Sequence, residues 1–215
     1  RGGVTLGNDR FGLPNRAYEF DGTTGYIEVP GSQFNFASNF SLSIWFKPYV
    51  TSTAFPALLD KSFYKGSTTT NNAGFLLEQY STNAAQYFFA YVSPATTIAI
   101  TPNQQMTVNA WNHIAVVKTG TRVHFYGNGV LMWTGVFPTA AIKSNGDLPL
   151  VIGGLNFGYS NPASTVIHLF SGLIDEIYFY NRSLSFSEVL TLYNTYTPTS
   201  QPTNQPSRRP TDQPT

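Results

Sequence analysis

The 215-residue chain has no cysteine, which excludes disulfides, thiolate chemistry and cysteine-ligated zinc. That absence does not argue for the cytosol, since a domain of this size needs no disulfide staples. Charge is scarce as well. Asp, Glu, Lys and Arg together make up 11% of the residues, against roughly 25% in an average soluble domain. A formal net charge of +1 gives no electrostatic reason to expect nucleic acid or an anionic membrane as a partner. No stretch approaches the ~18 apolar residues of a membrane span, so no membrane-spanning helix is expected. The chain begins at Arg1 without an apolar signal region, which reads as a processed form or a fragment.

Apolar residues alternating with period two are abundant, and 41% of the chain is hydrophobic and 15% aromatic. Phe40, Leu42, Ile44 and Phe46 share one face of a strand, with Ser41, Ser43 and Lys47 on the other. Similar short runs occur at 17–21, 26–30, 75–80, 87–92, 111–119, 122–126, 130–137, 150–153 and 173–180. Turn dipeptides separate them: Asp21-Gly22, Asn128-Gly129, Asn145-Gly146 and Gly153-Gly154. Many short strands without alternating helices predict an all-β, two-sheet antiparallel sandwich or jelly roll. One helix is expected. Ser185-Phe-Ser-Glu188 is a capping box, followed by Val189, Leu192 and Tyr193 at helical spacing and ending near Asn194.

After the helix, proline returns every four residues, at Pro198, Pro202, Pro206, Pro210 and Pro214. Each is followed by a hydroxyl residue: Thr199, Thr203, Ser207, Thr211 and Thr215. Fixed φ and missing N–H donors predict an extended polyproline-II rod, which advances about 12 Å and turns about 120° per repeat. The five hydroxyls are therefore candidate O-glycosylation sites displayed around a stiff stalk. The domain reading is a jelly roll over 1–196 and a Pro/Thr-rich tail over 197–215.

Several segments together resemble the laminin-G-like, concanavalin A-like jelly-roll family. They are Asp9-Arg-Phe-Gly12, Ala17-Tyr-Glu-Phe-Asp-Gly22, Tyr26-Ile-Glu-Val29, Phe40–Lys47, Trp111–Val117 and Phe170–Ser185. The resemblance covers about residues 4–194. One departure is Tyr126-Gly-Asn-Gly129, where the family usually has a branched residue and then Asp or Asn before Gly. The resemblance implies two curved antiparallel sheets, adjacent N- and C-terminal segments and often a bound calcium. It implies lectin-like, adhesion or appended non-catalytic modules.

Asp21 and Asp175 lie in segments that the family fold would set side by side, so they are the candidate ligands of a structural calcium. The other reading is that Asp21 caps a turn and Asp175 bonds backbone amides. Asp60 and Asp147 read as plain turn residues. Related glucanases carry Glu-x-Asp-x-Glu along one strand. That pattern is absent, adjacent Asp175 and Glu176 face opposite sides, and His113, His124 and His168 read as isolated, so no enzyme is expected. Sugar binding would use loop aromatics, with Tyr64 and Tyr159 as candidates beside Asn71, Asn72, Asn156 and Asn161. Trp45 and Trp111 read as packing residues. Asn39-Phe-Ser41 and Asn181-Arg-Ser183 are N-glycosylation sequons.

Low charge and the strict tail register lead to the expectation of an extracellular or cell-surface structural glycoprotein. It would associate with itself into a homo-oligomer or helical fibre. The alternative is a carbohydrate-binding lectin or adhesion module, dependent on calcium or not, carried on a mucin-like stalk.

Overall fold

A computed structural model describes residues 2–36, 38–49, 55–63, 73–80, 86–92, 98–100, 104–137, 140–144, 146–156 and 166–194. Tyr64, Tyr159 and the tail hydroxyls Thr199, Thr203, Ser207, Thr211 and Thr215 lie outside the described residues.

The strands in chain order are β1 (Val4–Gly7), β2 (Ala17–Asp21), β3 (Ile27–Val29), β4 (Phe40–Pro48), β5 (Ala57–Phe63), β6 (Ala73–Gln79), β7 (Gln86–Val92) and β8 (Ile98–Ile100). They continue as β9 (Gln104–Gln105), β10 (Asn112–Thr119), β11 (Arg122–Gly127), β12 (Val130–Val136), β13 (Leu150–Ile152), β14 (Leu155–Asn156), β15 (Val166–Ile167) and β16 (Ser171–Tyr180), before helix α1 (Phe186–Asn194). The first sheet runs β1-β2-β16-β4-β10-β11-β12, and the second runs β3-β13-β5-β6-β7-β8 with β9 also on β7. Every pairing is antiparallel. This is the expected all-β two-sheet sandwich with one short C-terminal helix, and β2 beside β16 brings the two ends of the domain together.

The core lies where the two inner faces meet. Phe40, Leu42, Ile44 and Phe46 of β4 are fully buried against Leu59, Phe75, Leu77, Tyr87, Phe89 and Tyr91 of the second sheet. Burying each such side chain contributes about 1.5–3 kcal/mol. The outer face of the first sheet is covered too. Helix α1 packs Val189 over Ala115, Val117 and Tyr126, forming a smaller second core. Ser41 and Ser43 are buried beneath this layer and remain satisfied. Ser41 Oγ donates to the Arg182 carbonyl and accepts the Leu184 N–H, while Ser43 Oγ bonds His113 Nε2 at 2.8 Å.

Local chemistry explains the punctuation. Asn128 and Gly129 both have positive φ, 49° and 77°, as the tight hairpin between β11 and β12 requires. Ser185 caps α1: its N–H donates to Glu188 Oε2 at 2.8 Å, and its Oγ accepts the Glu188 N–H. Asp9 Oδ1 accepts the N–H groups of Phe11 and Leu13, which folds the loop so that the Arg10 guanidinium lies over Trp45, 4.3 Å from the ring.

One expectation fails. Asp60 is not a loop residue but a buried member of β5, where its Oδ1 accepts the Ser62 N–H. The described residues of Ala57–Ser62 are buried on both faces, so the strand carries no alternation to read.

Candidate functional site

The site is built where β16 loses a neighbour. β2 pairs with β16 only from Ser171 to Ile174, whereas β4 follows it to Tyr180. Among the described residues, the distal half of β16 therefore has one bare edge. The segment after β3 folds beside it as the 3-10 turn Ser32–Phe34. Phe34 packs on Phe179 at 4.9 Å between ring centroids, and Phe36 stacks on Phe40 at 5.0 Å. These aromatic contacts hold the turn a short distance from the strand end.

The space between is a cleft of two adjoining lobes, about 460 and 440 Å³. Each is within the range of small-ligand sites. Phe34, Phe36 and Tyr180 line it with aromatic rings, and Gln33, Asn35, Asn39 and Asn181 line it with carboxamides. Asn35 Nδ2 donates to the Gly146 carbonyl at 2.8 Å, and Asn39 Oδ1 accepts the Gly120 N–H at 2.7 Å, so both are fixed in place. Gln33 and Asn181 make no side-chain hydrogen bond to other described residues, leaving donors and acceptors turned to solvent. Two buried lysines hold the surrounding loops. Lys118 Nζ donates to the carbonyls of Ser38, Gly120 and Ala140, and Lys61 Nζ donates to that of Gly146. Burial lowers both ammonium groups to about 8.

Arg182 is the charged lining residue, and it is engaged. Its two terminal nitrogens donate to both oxygens of Glu188, at 3.1 and 2.6 Å. Among the described residues the cleft thus offers amides, aromatic side chains and no unpaired charge, a combination that suits neutral polyhydroxylated ligands.

Asn39 and Asn181, the two sequon asparagines, are both exposed and both line this cleft. Asp21 and Asp175 do not meet. Asp21 lies opposite Ser171, four strand residues before Asp175, which is about 13 Å of strand. Asp21 Oδ1 accepts the N–H groups of Thr23, Thr24 and Gly25, and Oδ2 accepts the Thr24 hydroxyl. Those bonds hold its carboxyl well below the usual range. Asp175 accepts the Glu176 N–H, and burial pushes its carboxyl up to about 6. The two carboxylates therefore do not fit one calcium ion. Among the described residues, no group of three or more His, Asp or Glu side chains is arranged to hold a metal.

Two histidines read as isolated have partners. His113 bonds Ser43, and His168 Nδ1 lies 3.1 Å from Glu78 Oε1 at the opposite end of the sandwich. Phe55 stacks on His168 at 5.8 Å, and both adopt positive φ, 42° and 54°. Asp60 and Glu78 stand on adjacent strands, but each is bonded locally, to Ser62 and His168. Trp45 is a packing residue, stacked on Tyr193 at 5.5 Å. The cleft itself escaped sequence reading. Its one signal is the amide-rich run Gln33, Asn35 and Asn39 between aromatics, which resembles an ordinary loop.

Similar folds occur in solved structures of binding domains. The binding domain of Paraclostridial Mosquitocidal Protein 1 superposes with a TM-score of 0.67 at 16% identity, over 90% of this chain and 46% of that one. This chain therefore spans less than half the length of that protein. Domain 4 of AbnA, a GH43 extracellular arabinanase from Geobacillus stearothermophilus solved with arabinotriose, gives 0.64 at 18% identity, over 90% of this chain and 82% of that one. The CBM40 of Ruminococcus gnavus IT-sialidase, bound to α2,3 sialyllactose, gives 0.63 at 17% identity, over 83% and 96%. At these identities the likeness is one of fold. No curated protein matches the sequence. Residues 21–190 match the family described as concanavalin A-like lectin/glucanases superfamily, which is most of the chain, and the chain belongs to that superfamily.

Proposed function

We propose that this chain is a non-catalytic carbohydrate-binding module that works outside the cell. The observation that carries the reading is the cleft beside β16, where carboxamides of Gln33 and Asn181, without partners among the described residues, line the same space as Phe36 and Tyr180. Hydroxyl groups of a sugar pair with amides that both donate and accept, and its apolar ring face packs on an aromatic side chain. The structurally similar AbnA domain and CBM40 were solved with arabinotriose and sialyllactose, which supports a glycan as the ligand class. The low charge of the chain and the extracellular setting of AbnA support the location.

The test is a glycan array probed with protein made in bacteria, which leaves Asn39 and Asn181 unmodified. Binding is expected, and the double variant Gln33→Ala/Asn181→Ala is expected to lose at least tenfold in affinity, since about two hydrogen bonds of roughly 1 kcal/mol each disappear. Repeating the array in EDTA examines calcium, and unchanged signals are expected. Protein from a secreting eukaryotic host is expected to carry sugar on the tail hydroxyls. Sugar at either asparagine would occupy the cleft, so removing it should restore binding.

A second reading, self-association into a scaffold, is favoured by one feature. Val130 and Val136, each 64% exposed, stand on edge strand β12, where nothing among the described residues pairs with the outer side. Light scattering that finds only monomers at high concentration would remove that reading and leave the binding module intact.

A further inference from the structure

Tyr180, which lines the cleft, has a second tyrosine beside it on β16. Tyr178 and Tyr180 lie opposite Ser43 and Ser41, so both project from the outer face of the first sheet. Their rings are 6.4 Å apart and inclined by 34°. Same-face residues on a strand are spaced about 7 Å apart. Tyr178 remains 44% exposed although α1 and the loop before β2 cover the neighbouring Trp45. Half-buried Tyr180, itself a cleft residue, and exposed Tyr178 thus follow one another along the half of β16 that β2 leaves bare.

The charges around this track point one way. Arg182 at the cleft end is held by Glu188, and Arg10 at the far end is held by Glu176 at 2.9 Å. Asp175 adds a further carboxyl on that side. Among the described residues that line this track, a sialylated or sulfated ligand would find no unpaired cation and would meet the carboxyls of Asp175 and Glu176.

We infer that the ligand is a neutral oligosaccharide of three or more units, with one end in the cleft and the chain continuing across Tyr180 and Tyr178. This rests on the carbohydrate-binding reading above. Tyr178 is then a length-reading residue that short sugars never touch.

The experiment uses the full chain and an array of matched neutral, sulfated and sialylated glycans of one to six units. Titrations then follow with the best neutral hexasaccharide and its disaccharide. Preference for neutral glycans of three units or more is expected. Tyr178→Ala should weaken the hexasaccharide by about three- to tenfold, the range of one aromatic contact, and leave the disaccharide unchanged. Tyr178→Phe should retain the affinity, because a ring face is what the chain needs. Preference for sialylated or sulfated glycans would overturn the inference, as would equal losses for both lengths in Tyr178→Ala. Loss of binding in Gln33→Ala/Asn181→Ala with no effect of Tyr178→Ala would overturn the inference alone. Absence of binding to any glycan would overturn the parent reading and this inference together.

Discussion

His113, Trp45 and Asp175 form one row across β10, β4 and β16, and its two titratable members respond to acid in opposite senses. Burial and the nearby Arg10 guanidinium hold the His113 imidazole down to about 4. The unfolded chain protonates this histidine near 6.5, so between 6.5 and 4 it binds more protons than the folded chain, and stability falls as pH falls. Burial pushes Asp175 up to about 6 from 3.8. Here the folded chain binds more protons between those values, so stability falls as pH rises through that window. Asp175→Asn replaces the costly carboxylate with a neutral amide. We expect it to raise the thermal midpoint at pH 8 by about 2–4 °C, the shift for roughly 1 kcal/mol in a domain of this size, after allowing for solvent screening. At pH 3, below both values, the difference should vanish, and scanning calorimetry at pH 8 and pH 3 would check it. Neither environment is legible in the sequence, because both depend on the Asp9 loop that lays Arg10 over Trp45.

Elements with strong local signals emerge where the sequence places them. The helix begins at its capping box, and Ser185→Ala should cost about 0.5–2 kcal/mol in chemical denaturation, the usual loss for a hydroxyl N-cap. The loss should reach the second core, since Val189 is buried over Ala115 and Val117. β4 shows its inner face through Phe40, Leu42, Ile44 and Phe46 because one face is core and the other carries serines. β5 shows nothing of the kind. Its Asp60 looks like a turn residue, yet it is buried and bonded to Ser62 two residues on, while buried Lys61 reaches the Gly146 carbonyl 85 residues away. The cleft was hidden for a related reason. It depends on where β2 parts from β16, and pairing length is a property of two strands 150 residues apart that neither states alone.

At the scale of the whole molecule, the sandwich acts as a rigid frame that presents one strand edge and the turn beside it. The family likeness read from Asp9–Gly12, Phe40–Lys47 and Phe170–Ser185 was enough to name the fold, but that fold hosts many functions. The scaffold expectation came from composition and the proline register, whereas the proposed capture of a glycan rests on the cleft beside β16. The most direct measurement is amide chemical-shift mapping of the intact chain during titration with the neutral glycan that binds best on the array. The account predicts shifts concentrated at Gln33, Asn35, Asn181, Tyr180 and Tyr178, with the Phe55–Glu78–His168 end unmoved. Shifts confined to that opposite end, or none at saturating glycan, would contradict it.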